Sequence, residues 1–505
     1  MCRTHTARSP RHRLYSRLVR VADHYRERPA WWALAAAALA SFLLHIPFLT
    51  TPLSVDEGGY GYVAQWWARG ADLYGDVWVD RPQGLLLLYR AALALPGGHT
   101  VDIRLMAALW SSAIAVVLGL LITNLAGRRA GAVAALLSGL LSTAPVIEGF
   151  TANGELMATL PALIALALTA RWQVRGGLRL MFVAGLFAGA GFLVKQSGYD
   201  GGLAAGLWLL LAAWRGWRPA GEALRALGAL AGGVAAIIGL AALHGALTGW
   251  HDWWFAVADY RLSVESVATG SVSERFSLFT DSLRTAGPVV GALAVLAIPG
   301  LWLALKRRES VLIALWFVLS LTGFAIGGLF HGHYYVGPLT PLCALAALTI
   351  AAFPARVGIA VFLVVLVLPA YKAWPSYTAD GTRERSLASS SDSRIVSDGD
   401  VGRYLNAHTR PDDRIYALYA DAGLYLAAGR RSPYPYLWFL GIAHIPGALQ
   451  RLRDTLAGRD APRYIAVYQQ PETIDKRGDI GRTLRTRYRQ VATVDGVPIW
   501  RLRGS

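Results

Sequence analysis

The sequence predicts an α-helical polytopic membrane protein of about eleven transmembrane helices, with room for 12 or 13, followed by a small C-terminal α/β domain. Three observations predict it. Of the 505 residues 54% are hydrophobic and mean hydropathy is +0.39, above ordinary globular composition. Apolar stretches near the roughly 20 residues that cross a bilayer recur between residues 31 and 371. The basic residues fall in alternate loops between those stretches, which is the topology signal of a membrane protein. Net charge is +17, but the basic residues form no single patch, and this argues against nucleic acid as a partner.

Residues 1–30 read as a basic cytoplasmic tail carrying Arg3, Arg8, Arg11, Arg13, Arg17, Arg20, Arg26 and Arg28. The apolar run 31–49 that follows is too long for a signal-peptide core, so it is taken as the first span. The other ten are 105–125, 130–146, 156–170, 180–194, 201–213, 224–247, 286–305, 311–330, 334–353 and 357–371. Every second loop carries the cations: Arg128 and Arg129, then Arg171, Arg175 and Arg179, then Arg215, Arg218 and Arg225, then Lys306, Arg307 and Arg308, then Arg356. This places the N-terminus in the cytoplasm. With an odd span count the tail is expected outside the cell membrane, as a linker over 372–400 and an extracytoplasmic α/β domain over 401–505. In that domain 400–408 reads as helix, and the Pro411-Asp412-Asp413 turn leads to a strand over 414–419. A second strand is expected at 463–468, and a hairpin with Gly496 in its turn joins 491–494 to 499–502. Cys2 lies in the tail and Cys343 in an apolar span, so no disulfide is expected. No internal repeat is visible.

Candidate chemistry gathers at the outer ends of spans. The first outer loop, 50–104, is long, and long ordered loops usually carry function. Its opening, Ser54-Val55-Asp56-Glu57, has two readings: a capping box with Glu57 closing it, or an acidic pair that acts on substrate. Capping leaves Asp56 unused. The helix behind it presents Tyr60, Val63, Ala64 and Trp67 to an apolar surface. Further along stand Tyr74 and Asp80-Arg81-Pro82, where Arg81 is either a snorkelling interfacial cation or a ligand for an anion. Glu155 opens the fourth span, where an acid also favours the helix dipole. Lys195 closes the fifth, and since a cation at mid-bilayer costs about 3 kcal/mol, it needs the outer mouth or an anionic partner. His331-Gly332-His333-Tyr334-Tyr335 sits at the outer junction of the ninth and tenth spans. Its H-x-H spacing is weak evidence for metal, and an aromatic belt explains the tyrosines. The cluster 250–255, with Trp250, Trp253 and Trp254, reads first as an interfacial segment and second as a sugar-stacking surface.

Taken in order, Asp56-Glu57 after the first span, Leu73-Tyr74-Gly75-Asp76, Asp80-Arg81-Pro82-Gln83-Gly84-Leu85, Glu155, Leu193-Val194-Lys195-Gln196 and His333-Tyr334-Tyr335 resemble the GT-C glycosyltransferases, in particular the protein mannosyltransferase and lipid A aminoarabinose transferase group. The resemblance extends into the tail, through 414–419, Asp421-Ala422-Gly423-Leu424-Tyr425 and Gly429-Arg430-Arg431. It implies a GT-C fold, a sugar donor joined to polyprenyl phosphate, and a catalytic base in the first outer loop, hence Asp56, with Glu57 beside it. One departure stands out. Aminoarabinose transferases have a Glu-Lys-Pro-Pro string where this chain has Asp80-Arg81-Pro82-Gln83, and a guanidinium fork is not a point charge.

The expected reaction follows. An acceptor hydroxyl attacks the anomeric carbon on the outer face while the lipid phosphate departs. That leaving group has a second pKa near 6, so it needs cations more than a general acid. Arg81 and Lys195, with His333 as a third, are the expected donor-phosphate ligands. Asp56 takes the acceptor proton, and a single displacement inverts configuration. Glu155, Tyr74, Asp80, Tyr334 and His331 are the expected substrate-binding set, with Glu57 and Glu155 orienting acceptor or sugar. No cofactor is expected, and a divalent metal is left open. The expected partners are the polyprenyl-phosphate sugar, a carbohydrate, lipid or protein acceptor, and membrane lipid. A transporter or lipid flippase is the alternative, and a polysaccharide-binding scaffold is a third reading. Against the transporter, its ionisable residues would sit near the midplane on broken helices.

Overall fold

A computed structural model of the chain describes residues 28–504 apart from 266–270, 327, 391, 393 and 420. Cys2 and most of the basic tail lie outside the described residues. The bundle is built from α1 (Trp31–His45), α4 (His99–Ala126), α5 (Arg128–Leu141), α6 (Gly154–Arg175), α7 (Leu178–Val194), α8 (Asp200–Trp214) and α9 (Ala220–Thr248). It is completed, after the short α10 (Trp250–Trp254) and a π-helical stretch over Phe255–Glu265, by α11 (Val272–Leu305), α12 (Val311–Ile326), α13 (Val336–Ala352) and α14 (Ala355–Thr378). Each of the eleven apolar runs read from the sequence contains a helix, though the runs 130–146 and 311–330 extend past theirs, which end at Leu141 and Ile326. Seven described helices are long and apolar enough to cross a membrane, and α7 and α12 are shorter apolar helices. The chain is a multi-pass membrane protein. Leu240, Ile298 and Val364 are largely exposed on the bundle's outside, where hydrocarbon and not water is the suitable solvent. Pro161, Pro288, Pro299, Pro341 and Pro369 sit inside helices, as membrane helices tolerate. Inside, small residues let backbones meet: a Cβ on Gly185 of α7 would collide with the backbone of Leu230 on α9.

Two helices of the first loop, α2 (Val55–Ala68) and α3 (Gln83–Leu93), cap this bundle at one end. The segment expected as a linker is itself helical, as α15 (Thr382–Ser389) and the start of α16 (Arg394–His408). Arg385 fastens it by donating to the carbonyls of Pro47, Ser376 and Ala379 at 3.3, 3.1 and 2.8 Å. The tail domain then forms a mixed sheet of β1 (Ile415–Ala417), β2 (Tyr464–Ala466), β3 (Tyr488–Val494) and β4 (Val497–Leu502) in the order β1-β2-β4-β3. β1 and β2 are parallel, with Ile415 opposite Tyr464, and α17 (Gly423–Ala428), α18 (Phe439–His444) and α19 (Ala448–Ala457) make the crossover. β4 runs antiparallel to both neighbours. Asp495 and Gly496, both at positive φ, form the hairpin turn that suits twisted strands.

The tail domain rests on the same end of the bundle as the first loop. The face of α2 that carries Gly58, Gly59 and Gly61 lies against α17 and Trp438; a Cβ on Gly58 would overlap the backbone of Gly423, and one on Gly59 the ring of Trp438. Around this contact Ser432 N donates to Tyr62 Oη at 2.9 Å, and Arg431 pairs with Asp76 at 3.3 Å.

Candidate active site

Glu155 is placed by the way α6 begins. Asn153 caps the helix by accepting from Leu156 N at 2.8 Å, and Glu57 Oε1 accepts from Ala152 N at 2.8 Å. Lys195 is placed by the way α7 ends. The chain leaves the helix in extended conformation at Lys195 and turns at once through a 3-10 stretch, Gln196–Tyr199. Its aliphatic stem crosses Gly154, where a Cβ would lie 3.0 Å from Lys195 Cδ. The ammonium group then forms a buried ion pair with Glu155 and stands 4.9 Å from the centre of the Tyr334 ring. That is the anionic partner a cation at this depth requires.

Glu155, Lys195 and Tyr334 line a cavity of about 540 Å³, together with Asp200, Arg261 and Arg275. Phe192, Leu262, Phe324, Ile326 and Pro338 make its apolar wall. Asp80 sits beside it between two guanidinium groups: Arg81 Nη1 is 2.6 Å from Asp80 Oδ2, and Arg261 pairs with the same oxygen. Gln196 ties this corner to the end of α7, donating to Asp80 O at 3.1 Å and Val257 O at 3.0 Å. Arg81 lies over the Tyr60 ring at 5.8 Å, and its charge acts on both Tyr60 and Glu155. Burial pushes the Tyr60 phenol well above its usual range, with Arg81 opposing.

Asp56 is on the first turn of α2, half-buried, with Oδ1 accepting from the indole N–H of Trp438 at 2.9 Å. Oδ2 has no hydrogen-bond partner among the described residues. The Asp56 charge reaches Tyr60, His331 and His333. His331 and His333 stack with ring centres 5.7 Å apart, and His333 Nδ1 is 3.0 Å from Glu148 Oε2.

Two residues of the expected set have other employment. Glu57 completes the capping box: Oε2 accepts from Ser54 N at 3.0 Å while Ser54 Oγ accepts from Glu57 N. Its Oε1 takes Ala152 N and lies 3.0 Å from Arg104 Nη1, and both side chains are fully buried. Of the two readings of that string, the structure has the capping box for Glu57. Tyr74, expected to bind substrate, is buried at positive φ and donates its hydroxyl to Arg81 O at 2.9 Å. It holds the backbone beside the site. Conversely, sequence reasoning missed Arg104, Glu148, Arg261, Arg275 and Trp438. Only Arg261 had a pointer, the aromatic cluster 250–255 just ahead of it.

No family model matches the chain, and no curated protein is similar to it in sequence. Solved structures are similar in shape. ArnT from Cupriavidus metallidurans, solved bound to undecaprenyl phosphate, superposes with TM-score 0.62 at 14% identity, covering 93% of this chain and 97% of that one. This is the GT-C fold. The oligosaccharyltransferase of Archaeoglobus fulgidus, tethered to an acceptor peptide, shares it with TM-score 0.53 at 13% identity over 86% of this chain and 69% of that one. The same archaeal enzyme, AglB, in complex with an inhibitory peptide and a dolichol-phosphate, gives 0.52 at 12% identity over the same shares. The GT-C architecture expected from the ordered motifs is thus the one found, and it extends through the tail domain.

Proposed function

We propose that this chain is a membrane glycosyltransferase that moves a sugar from a polyprenyl-phosphate donor to an acceptor hydroxyl on the outer face of the membrane. The observation that carries this reading is one carboxylate, Asp56, held by Trp438 with its second oxygen unengaged among the described residues, whose charge reaches His331 and His333, while Lys195 and Arg261 line an apolar cavity. The GT-C fold, shared with structures solved with undecaprenyl phosphate and dolichol-phosphate, supports the donor class. The cations carried by every second loop, and so all on one side, support the orientation.

In the proposed reaction the acceptor oxygen bonds to the anomeric carbon, its proton passes to Asp56, and the bond from that carbon to the lipid phosphate oxygen breaks with its electron pair. Lys195, Arg81 and Arg261 stabilise the charge that grows on the phosphate. Glu155 keeps the Lys195 ammonium in place. A single displacement inverts configuration. The apolar wall accommodates the start of the prenyl tail.

The test is transfer of radiolabelled sugar from a polyprenyl-phosphate donor by the purified chain. Asp56→Asn keeps an acceptor for Trp438 and is expected to remove transfer without loss of expression. Transfer at the wild-type rate in that variant rejects the base assignment.

A further inference from the structure

Glu148 was not anticipated, and its geometry is unusual. It follows the 3-10 turn Pro145–Ile147 with φ 52, a left-handed conformation that non-glycine residues adopt with strain. Thr151 holds that conformation, donating from its backbone N and its Oγ1 to Glu148 O at 3.0 and 2.7 Å. The turn is pressed against the start of the 332–335 segment: a Cβ on Gly332 would stand 3.2 Å from Val146 O. Glu148 Oε2 thereby meets His333 Nδ1 at 3.0 Å.

Resting on the polyprenyl-phosphate reading above, we infer that Glu148 is a positioning residue that acts through His333, fixing Nδ1 as the donor to itself so that the second imidazole proton is carried on Nε2, toward the lipid phosphate. A carboxylate on one ring nitrogen sets which proton the other carries. Around His333 stand the carboxylates of Glu148, Glu155 and Asp56, the stacked ring of His331, the Tyr334 ring 5.0 Å away, and Lys195 paired to Glu155. Burial works against the charged ring, and the three carboxylates around it favour the imidazolium. Nε2 has no hydrogen-bond partner among the described residues, so its N–H is available to a phosphate oxygen. Charge-assisted bonds of this kind are the strong ones.

The experiment measures binding of undecaprenyl phosphate to the full chain in nanodiscs at about pH 6 and about pH 8, spanning the range in which histidine titrates, with undecaprenol as the control. Wild type binds the phosphate and not the alcohol. Glu148→Gln binds roughly tenfold more weakly at the higher pH and recovers at the lower, because without the carboxylate the imidazolium is lost earlier as pH rises. The lipid phosphate's own titration moves every variant alike. His333→Ala is weak at both pH values, and the double variant is no weaker than His333→Ala. An equal further loss from Glu148→Gln in the His333→Ala background shows a general structural role and overturns the inference, as does wild-type binding by Glu148→Gln at both pH values. If Glu148→Gln does not accumulate, Glu148→Asp, with its charge drawn back by one methylene, is expected to show the same pH effect in smaller degree, and pH-independent wild-type affinity there overturns the inference. Wild-type binding without sugar transfer removes the transferase reading and leaves this one standing, whereas absence of binding overturns this one.

Discussion

A carboxylate buried against a guanidinium stabilises a fold only while both charges are present, because either alone is stranded in a poor solvent. Glu57 and Arg104 are such a pair, and Arg104 also donates to Pro52 O at 2.8 Å. Glu57→Gln is therefore expected to lower stability by about 3 kcal/mol, read as a fall in the thermal midpoint in detergent. A second buried acid lies in the tail domain. Asp398 accepts from Tyr468 Oη at 2.6 Å and faces Asp421; burial first, and then its acidic neighbour, push the Asp398 carboxyl well above the usual carboxylate range. The folded state thus binds a proton that the unfolded chain has released. Stability falls as pH rises from the ordinary carboxylate pKa toward the raised one. Asp398→Asn is expected to flatten that dependence in melting curves taken across pH. Arg81→Ala removes one cation from the proposed phosphate site and is expected to raise donor KM about tenfold; an unchanged donor titration counts against its role. Asp56, Arg81, Glu155 and Lys195 stand out as candidates in the sequence because each is an ionisable residue close to an apolar stretch. Trp438 was not, because nothing local distinguishes an indole that binds a carboxylate from one that fills a core.

At the level of elements, the contact between α2 and α17 decides where Asp56 sits. Three glycines on one face of α2 allow a backbone approach that any side chain would prevent. Gly58→Ala is expected to cost about 2 kcal/mol through overpacking and to increase protease access to the tail domain, and transfer should fall with it. The helix itself was readable from its capping box and its apolar positions. Its partner was not, since periodicity says which face is buried and is silent on what buries it. The same limit explains the linker. Thr382–Ser389 is polar in composition, and its helix is fixed by Arg385 reaching back to carbonyls at the ends of α1 and α14. The eleven apolar runs needed no such distant information, because solvation by hydrocarbon acts on each segment alone.

For the whole molecule, the tail domain is part of the site's construction. The indole that holds Asp56 lies 382 residues further along the chain. A chain ending at residue 379 keeps every long apolar helix and is expected to insert in membranes, yet to lose transfer about a hundredfold or more, as small misplacements of reacting groups do. Membrane fractionation with a transfer assay checks both halves of that statement. The link between positions 56 and 438 also bears on biosynthesis. Translation delivers the acidic loop early and its indole partner late, after the last apolar helix has left the ribosome. A half-made or prematurely terminated polypeptide therefore occupies the bilayer without an assembled centre.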